Sequence, residues 1–147
     1  MAAIKIRILW GPRYIRACRN KRIFNHRVFD GLASRGKSTM GWFFGFKLHL
    51  IIDEKGNIME GILTPGNWDD RRPVEGMLHN FYGTLFADKG YISKDLFTRL
   101  YEKGVKLVTG FKKGTKNILM NFKEKILLRK RSTFKLSTHV FKTINYT

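Results

Sequence analysis

Asp88 is the residue whose setting first suggests chemistry. It ends the apolar run Leu85-Phe86-Ala87 and precedes Lys89-Gly90-Tyr91. A strand carrying Leu85 and Phe86 into a core would release this carboxylate at its C-terminal edge, where open α/β sheets place ligands. Two roles fit the position, a metal ligand and a turn or capping residue, since Asp before Lys-Gly suits a turn on local grounds. Gly31-Leu32-Ala33-Ser34-Arg35-Gly36-Lys37-Ser38 satisfies the P-loop pattern G-x-x-x-x-G-K-[ST]. Such a loop follows a buried strand and opens a helix, yet Asn25-His26-Arg27-Val28 before it is polar and the run after Gly41 is strand-like. A P-loop nucleotide-binding protein is therefore the lesser alternative. Asp69 and Asp70 are adjacent carboxylates, but neighbours at a helix start point apart, and capping is the better reading. His26, His49, His79 and His139 lack a short ligand spacing and read as surface or core histidines.

The remaining chemistry is cationic. Arg13-Tyr14-Ile15-Arg16-Ala17-Cys18-Arg19-Asn20-Lys21-Arg22-Ile23-Phe24 interleaves aromatics with positive charge, a mixture suited to phosphate contacts plus stacking; a solubilising loop is the plainer alternative. The formal net charge is +18, which implies a polyanionic partner, most often nucleic acid. Residues 1–49 hold 11 Lys and Arg against Asp30, and residues 111–147 hold 10 against Glu124, whereas 50–110 carry 8 basic and 9 acidic residues. Two basic flanks around a carboxylate-bearing centre suit a protein that grips phosphates and sets acids near them. With Cys18 as the single cysteine, an intrachain disulfide and a cysteine zinc cluster are excluded, and a reducing cytoplasm is the default. Lys5 and Arg7 interrupt any signal-like apolar region, and the apolar stretch from Met40 to Phe46 is too short to span a bilayer.

These residues need elements to position them. Ile4, Ile6 and Ile8 alternate with Lys5 and Arg7, which predicts a first strand stopped by Gly11-Pro12; a loop-rich excursion with a helical turn or two follows over 13–39. Gly41 to Ile52 reads as a long strand and Ile58 to Thr64 as its hairpin partner. Val74, Met77, Leu78 and Phe81 recur at helical intervals, predicting a helix from near Asp70 to Tyr82-Gly83. A strand over 84–88, a helix through Leu96, Leu100 and Tyr101 ended by Gly104, and a strand over 105–109 come next. Ile118, Phe122, Ile126 and Leu127 suggest a further helix. Hairpin strands followed by alternating helices and strands predict a mixed sheet with helices packed on it.

In this order the segments resemble a known family, the catalytic domain of DDE-type insertion-sequence transposases. The resemblance rests on five blocks: Asn20-Lys21-Arg22-Ile23-Phe24-Asn25-His26; Lys37 with Gly41-Trp42-Phe43-Phe44-Gly45-Phe46-Lys47-Leu48-His49; Thr64-Pro65-Gly66-Asn67 with Asp69-Asp70-Arg71; Leu85 to Tyr91; and Ile126-Leu127-Leu128-Arg129-Lys130-Arg131. It covers about residues 15–132 of a single domain, 1–147, leaving 133–147 as an irregular or aberrant tail. It implies an α/β fold, an RNase H-like mixed sheet flanked by helices, in a bacterial, cytoplasmic, DNA-associated protein that acts as a homo-oligomer. The partner is DNA, at transposon ends and target, and the chemistry is Mg-dependent phosphoryl transfer. In the family, three acids hold two Mg²⁺ ions about 4 Å apart: an Asp on the first strand, an Asp after the fourth, and a Glu on a later helix. By this resemblance Asp88 is the second acid, catalytic and metal-binding, and Arg16, Arg19, Lys21, Arg22, Arg27, Lys47, Arg129, Lys130 and Arg131 are DNA contacts.

The chain departs from the family at two points. After Ile8-Leu9, where the first Asp belongs, stand Trp10-Gly11-Pro12, and no acid precedes Asp30. No Glu follows Arg129-Lys130-Arg131, and Glu124 lies before that cluster. The expectation is a remnant, out of frame at both ends, that keeps the middle of the fold; a non-catalytic basic nucleic-acid-binding module is the alternative.

Overall fold

A computed structural model describes residues 5–110 together with Phe122, Lys125 and Ile126. In chain order its elements are β1 (Ile6–Cys18), β2 (Ser34–Ser38), β3 (Gly41–Asp53), β4 (Ile58–Pro65), β5 (Gly83–Ala87), α1 (Lys94–Glu102) and β6 (Val105–Thr109). Short 3-10 turns occupy Asn20–Asn25, Gly76–Leu78 and Lys89–Tyr91.

The strands make one mixed sheet. Its main path is β2-β3-β1-β5-β6, and β4 also pairs with β3. β2 takes the Gly41–Gly45 end of β3 and β4 the Phe46–Ile52 end, both antiparallel. β1 runs antiparallel to β3 and parallel to β5, and β5 is parallel to β6. Read as β4-β3-β1-β5-β6, this arrangement is consistent with an RNase H-like core. It has few flanking helices, α1 being the one continuous α-helix among the described residues. No helix among those residues is long and apolar enough to cross a membrane.

Side chains of alternate residues leave a strand on opposite faces, and the core divides accordingly. Leu9, Ile51, Leu85, Ala87 and Leu107 pack on the first face with Leu96 and Leu100 of α1 and with Val74, Met77, Leu78 and Tyr91. Ile8, Leu50, Ile52, Phe86 and Val108 pack on the second, edged by Ile6, Trp10 and Leu48. β5 is buried on both faces from Thr84 to Ala87, as its unbroken apolar run and its place between two parallel neighbours require. α1 begins at Ser93, whose hydroxyl accepts from the Leu96 amide, and Gly104 follows it at φ +76, the start and stop devices of a short amphipathic helix.

Three expectations change. β1 does not stop at Gly11-Pro12 but continues to Cys18. Between Trp10↔Leu50 and Arg13↔Leu48 it advances three residues against two on β3. That bulge absorbs a proline that has no amide to give the ladder. Residues 13–39 are consequently not mainly loop, since the end of β1 and all of β2 fall within them. Over 70–82 there is no α-helix; turns lead into the 3-10 turn Gly76–Leu78. Val74, Met77 and Leu78 are buried as their spacing predicted, but the carboxylates of Asp69 and Asp70 are engaged elsewhere and Gly76 is a weak helix former. Of the helix expected through Ile118 and Leu127, the described residues Phe122, Lys125 and Ile126 are helical; the rest of it and the tail 133–147 lie outside the described residues.

Candidate functional site

Asp88 stands one residue beyond β5, fully outside the strand it follows. Its Oδ1 accepts from the Lys89 amide at 2.7 Å and caps the Lys89–Tyr91 turn. Parallel pairing runs Ile6↔Thr84, Arg7↔Leu85, Ile8↔Phe86. Continued by two residues, the same register brings Trp10, a half-buried indole packed on the second face, beside Asp88. The guanidinium of Arg13 lies 5.9 Å from the centroid of that indole. Among the described residues no three His, Cys, Asp or Glu side chains come together as a metal site. A two-metal centre needs several converging carboxylates. The described residues do not fit one: the stretch of β1 that follows the paired register, Trp10-Gly11-Pro12-Arg13, brings no acid to the Asp88 end of the sheet.

The expected DNA contacts divide into three groups. Arg16, Arg19, Lys21, Arg22 and Arg27 are all exposed, on the end of β1 and the turns that follow it. Lys47 is not with them. It projects from the first face of β3, 7% exposed, and donates to Asp70 Oδ1 at 2.8 Å and to the Trp68 carbonyl at 2.7 Å. The ammonium is already held by the partly exposed Asp70 carboxylate and the Trp68 carbonyl, so the structure makes Lys47 a tie between the sheet and the 66–72 turns. Arg129, Lys130 and Arg131 lie outside the described residues.

Two surface cations are absent from the expected DNA contacts. Arg35 and Lys37 are both exposed on β2, and the alternating Ser34-Arg35-Gly36-Lys37-Ser38 is their signal, obscured by its likeness to a P-loop. The phosphate-cradle geometry is absent here. Ser34–Ser38 is itself a strand, paired from Ser34↔Gly45 to Ser38↔Gly41. The Ser38 hydroxyl bonds the Gly41 carbonyl and the Met40 amide across the hairpin turn. A β-carbon at Gly36 would strike the Gly66 carbonyl and the Phe43 ring, so this glycine serves packing.

Behind Lys47 the first face carries a second buried polar contact. His49, with no exposed surface, places Nε2 3.0 Å from the Thr64 hydroxyl, while its Nδ1 is buried without a hydrogen-bond partner among the described residues. Burial lowers the His49 pKa; Asp70 opposes the shift and Lys47 adds to it. Asp69 turns outward. It accepts from the amide and guanidinium of Arg71, and these bonds bring its pKa down to about 2. The adjacent carboxylates thus point apart, one to the buried Lys47 and one to an exposed arginine, and do not form a metal pair.

The chain matches the family model described as transposase DDE domain over residues 7–146. No curated protein matches it.

Proposed function

Since the chain belongs to the transposase DDE domain family, we propose that it is a DNA-binding transposase domain that has lost strand-transfer chemistry. In this reading the core is RNase H-like, DNA is the ligand, and Asp88 is the retained member of a carboxylate triad. The observation that carries the loss is the register of β1 against β5. That register supports Trp10 as the residue at the first-acid position, on the strand next to Asp88. An indole offers no oxygen to a divalent cation, and the family's Mg²⁺ chemistry depends on acids from neighbouring elements. Binding rests on different residues. The exposed cations of the β1 end and its following turns support it, since phosphate contacts need charge and reach rather than a metal.

The test is a pair of assays on the purified chain. Binding to a duplex should weaken steeply with salt, and incubation with Mg²⁺ or Mn²⁺ should leave the DNA uncut and untransferred. Asp88→Ala should bind as the parent does. Metal-dependent nicking that disappears in Asp88→Ala would overturn the reading; absence of salt-dependent binding would remove the DNA-binding half of it.

A further inference from the structure

β2 and β3 form a hairpin that carries aromatic surface out to its tip. Trp42, paired with Lys37, is 60% exposed, and the Lys37 ammonium lies 6.0 Å from its ring centroid. Met40 in the turn is 87% exposed. Two contacts hold the tip in place: the Asn20 side chain donates to the Trp42 carbonyl at 3.1 Å, and Ser38 closes the turn. An indole this exposed, on a strand whose next inward residue, Phe43, is fully buried, is not part of the core.

Alternation from Leu48 and Leu50 places Trp42 on the second face of the sheet. That is also the face of Trp10. Because Leu50 pairs with Trp10, eight residues of β3 separate the Trp42 position from it, about 26 Å at 3.3 Å per residue. Arg35, paired with Phe44, and Arg13, paired with Leu48, fall between them on the same side by register. On this face Arg13, Arg35 and Lys37 bring positive charge along β3 to an open aromatic ring at the hairpin tip, with His26 and Phe29 packed on Phe44 and Phe46 between them.

We propose that the Trp42–Lys37 tip is a stacking site for an unpaired base of bound DNA, at the hairpin end of this face. The proposal rests on the DNA-binding reading and names the form of DNA. A paired base in a duplex has its faces covered by its neighbours, whereas an unpaired base can lay its face on an indole beside a cation. A second copy of the chain is a poorer occupant. Residues 13–37 contain eight Lys and Arg against Asp30 alone, so two such lobes meeting face to face would oppose like charges.

The experiment compares a blunt duplex with the same duplex bearing an unpaired tail of about ten thymidines, a length within the usual single-strand site size. The parent should bind the tailed DNA about tenfold more tightly, from one or two stacked bases. Trp42→Ala should remove that preference and leave blunt-duplex affinity within about twofold; Trp42→Phe should keep most of it. Bromodeoxyuridine in the tail should photocrosslink to the parent and not to Trp42→Ala. Equal affinity for both DNAs in parent and variant overturns the stacking site while leaving DNA binding intact. Failure to bind either DNA overturns both readings. Concentration-dependent dimers abolished by Trp42→Ala would reassign the tip to self-association.

Discussion

Removing the Asp70 carboxylate should unfold the domain more readily than removing the lysine it holds. The side chains of the pair are unequally buried, Lys47 at 9% and Asp70 at 35% exposure. In Asp70→Ala the ammonium stays beneath the turn with the Trp68 carbonyl as its remaining contact, and stranding a buried charge costs about 3 kcal/mol. In Lys47→Met the stem packing is kept and the half-exposed carboxylate turns to water, so the cost is about 1 kcal/mol. At about 4 °C per kcal/mol for a domain of this size, the melting temperatures should fall by about 12 °C and about 4 °C. Thermal denaturation followed by circular dichroism measures both. The sharper result is the double variant: Lys47→Met added to Asp70→Ala removes the stranded charge and should recover most of the loss. Asp69→Ala next door is the control. Its pair with Arg71 is exposed, and such pairs contribute about 0.5 kcal/mol. A double variant less stable than Asp70→Ala, or equal losses from the two single variants, would refute the assignment of Lys47 as the buried partner.

Three further outcomes are expected. His49, whose pKa is lowered by burial, takes its proton more readily in the unfolded chain, where it titrates near 6.5; its contribution to stability is complete above about pH 6.5 and is lost as pH falls below that toward the folded value. Urea midpoints across this window should drop in the parent and flatten in His49→Gln, and an identical slope in the variant would discard His49 as the source. Gly45→Ala should cost about 3 kcal/mol or leave the chain insoluble, because its β-carbon would collide with the Ile15 carbonyl of β1; a parent-like urea midpoint would contradict the β1–β3 packing. Replacing Arg19, Lys21 and Arg22 together by Ala should reduce the steepness of log K against log salt for duplex binding by about 3 in slope, and an unaltered slope would exclude this surface from the DNA contact.

The parts of the fold legible in sequence were those whose signals are local. β3 declared itself by a run of aromatic and β-branched residues, β5 by an unbroken apolar run, and α1 by the Leu96, Leu100 and Tyr101 stripe ended by Gly104. The misread parts depend on partners distant in sequence. Gly11-Pro12 looks like a stop until β3 is placed beside it and the extra residue becomes a bulge. β2 has no apolar residue to mark it, as befits a polar edge strand, and its pairing with β3 decides its structure. Lys47 reads as one more cation because Asp70, 23 residues on, is the group that explains it. The departure at Trp10 was visible in sequence, but the parallel pairing of β1 with β5, which leads toward Trp10 and Asp88 at one end of the sheet, needed the structure.

That contrast separates two kinds of family resemblance in this chain. Lys47 and His49 come from one matching block and Thr64 and Asp70 from another, and in the folded chain the two blocks are joined by contacts: Lys47 to Asp70, and His49 to Thr64. These contacts tie β3 to β4 and to the following turns on the first face of the sheet, so the match at these residues reports a shared way of folding. In the proposed reading, chemistry would depend on the strand ends beyond the Ile8↔Phe86 pair, toward Trp10 and Asp88, and there the chain departs from the resemblance. A buried ion pair is costly to half-remove and indifferent to what happens at Asp88. In the proposed reading, the core therefore stays folded and keeps a cationic surface for DNA with an indole at the position where the family's metal chemistry needs an acid.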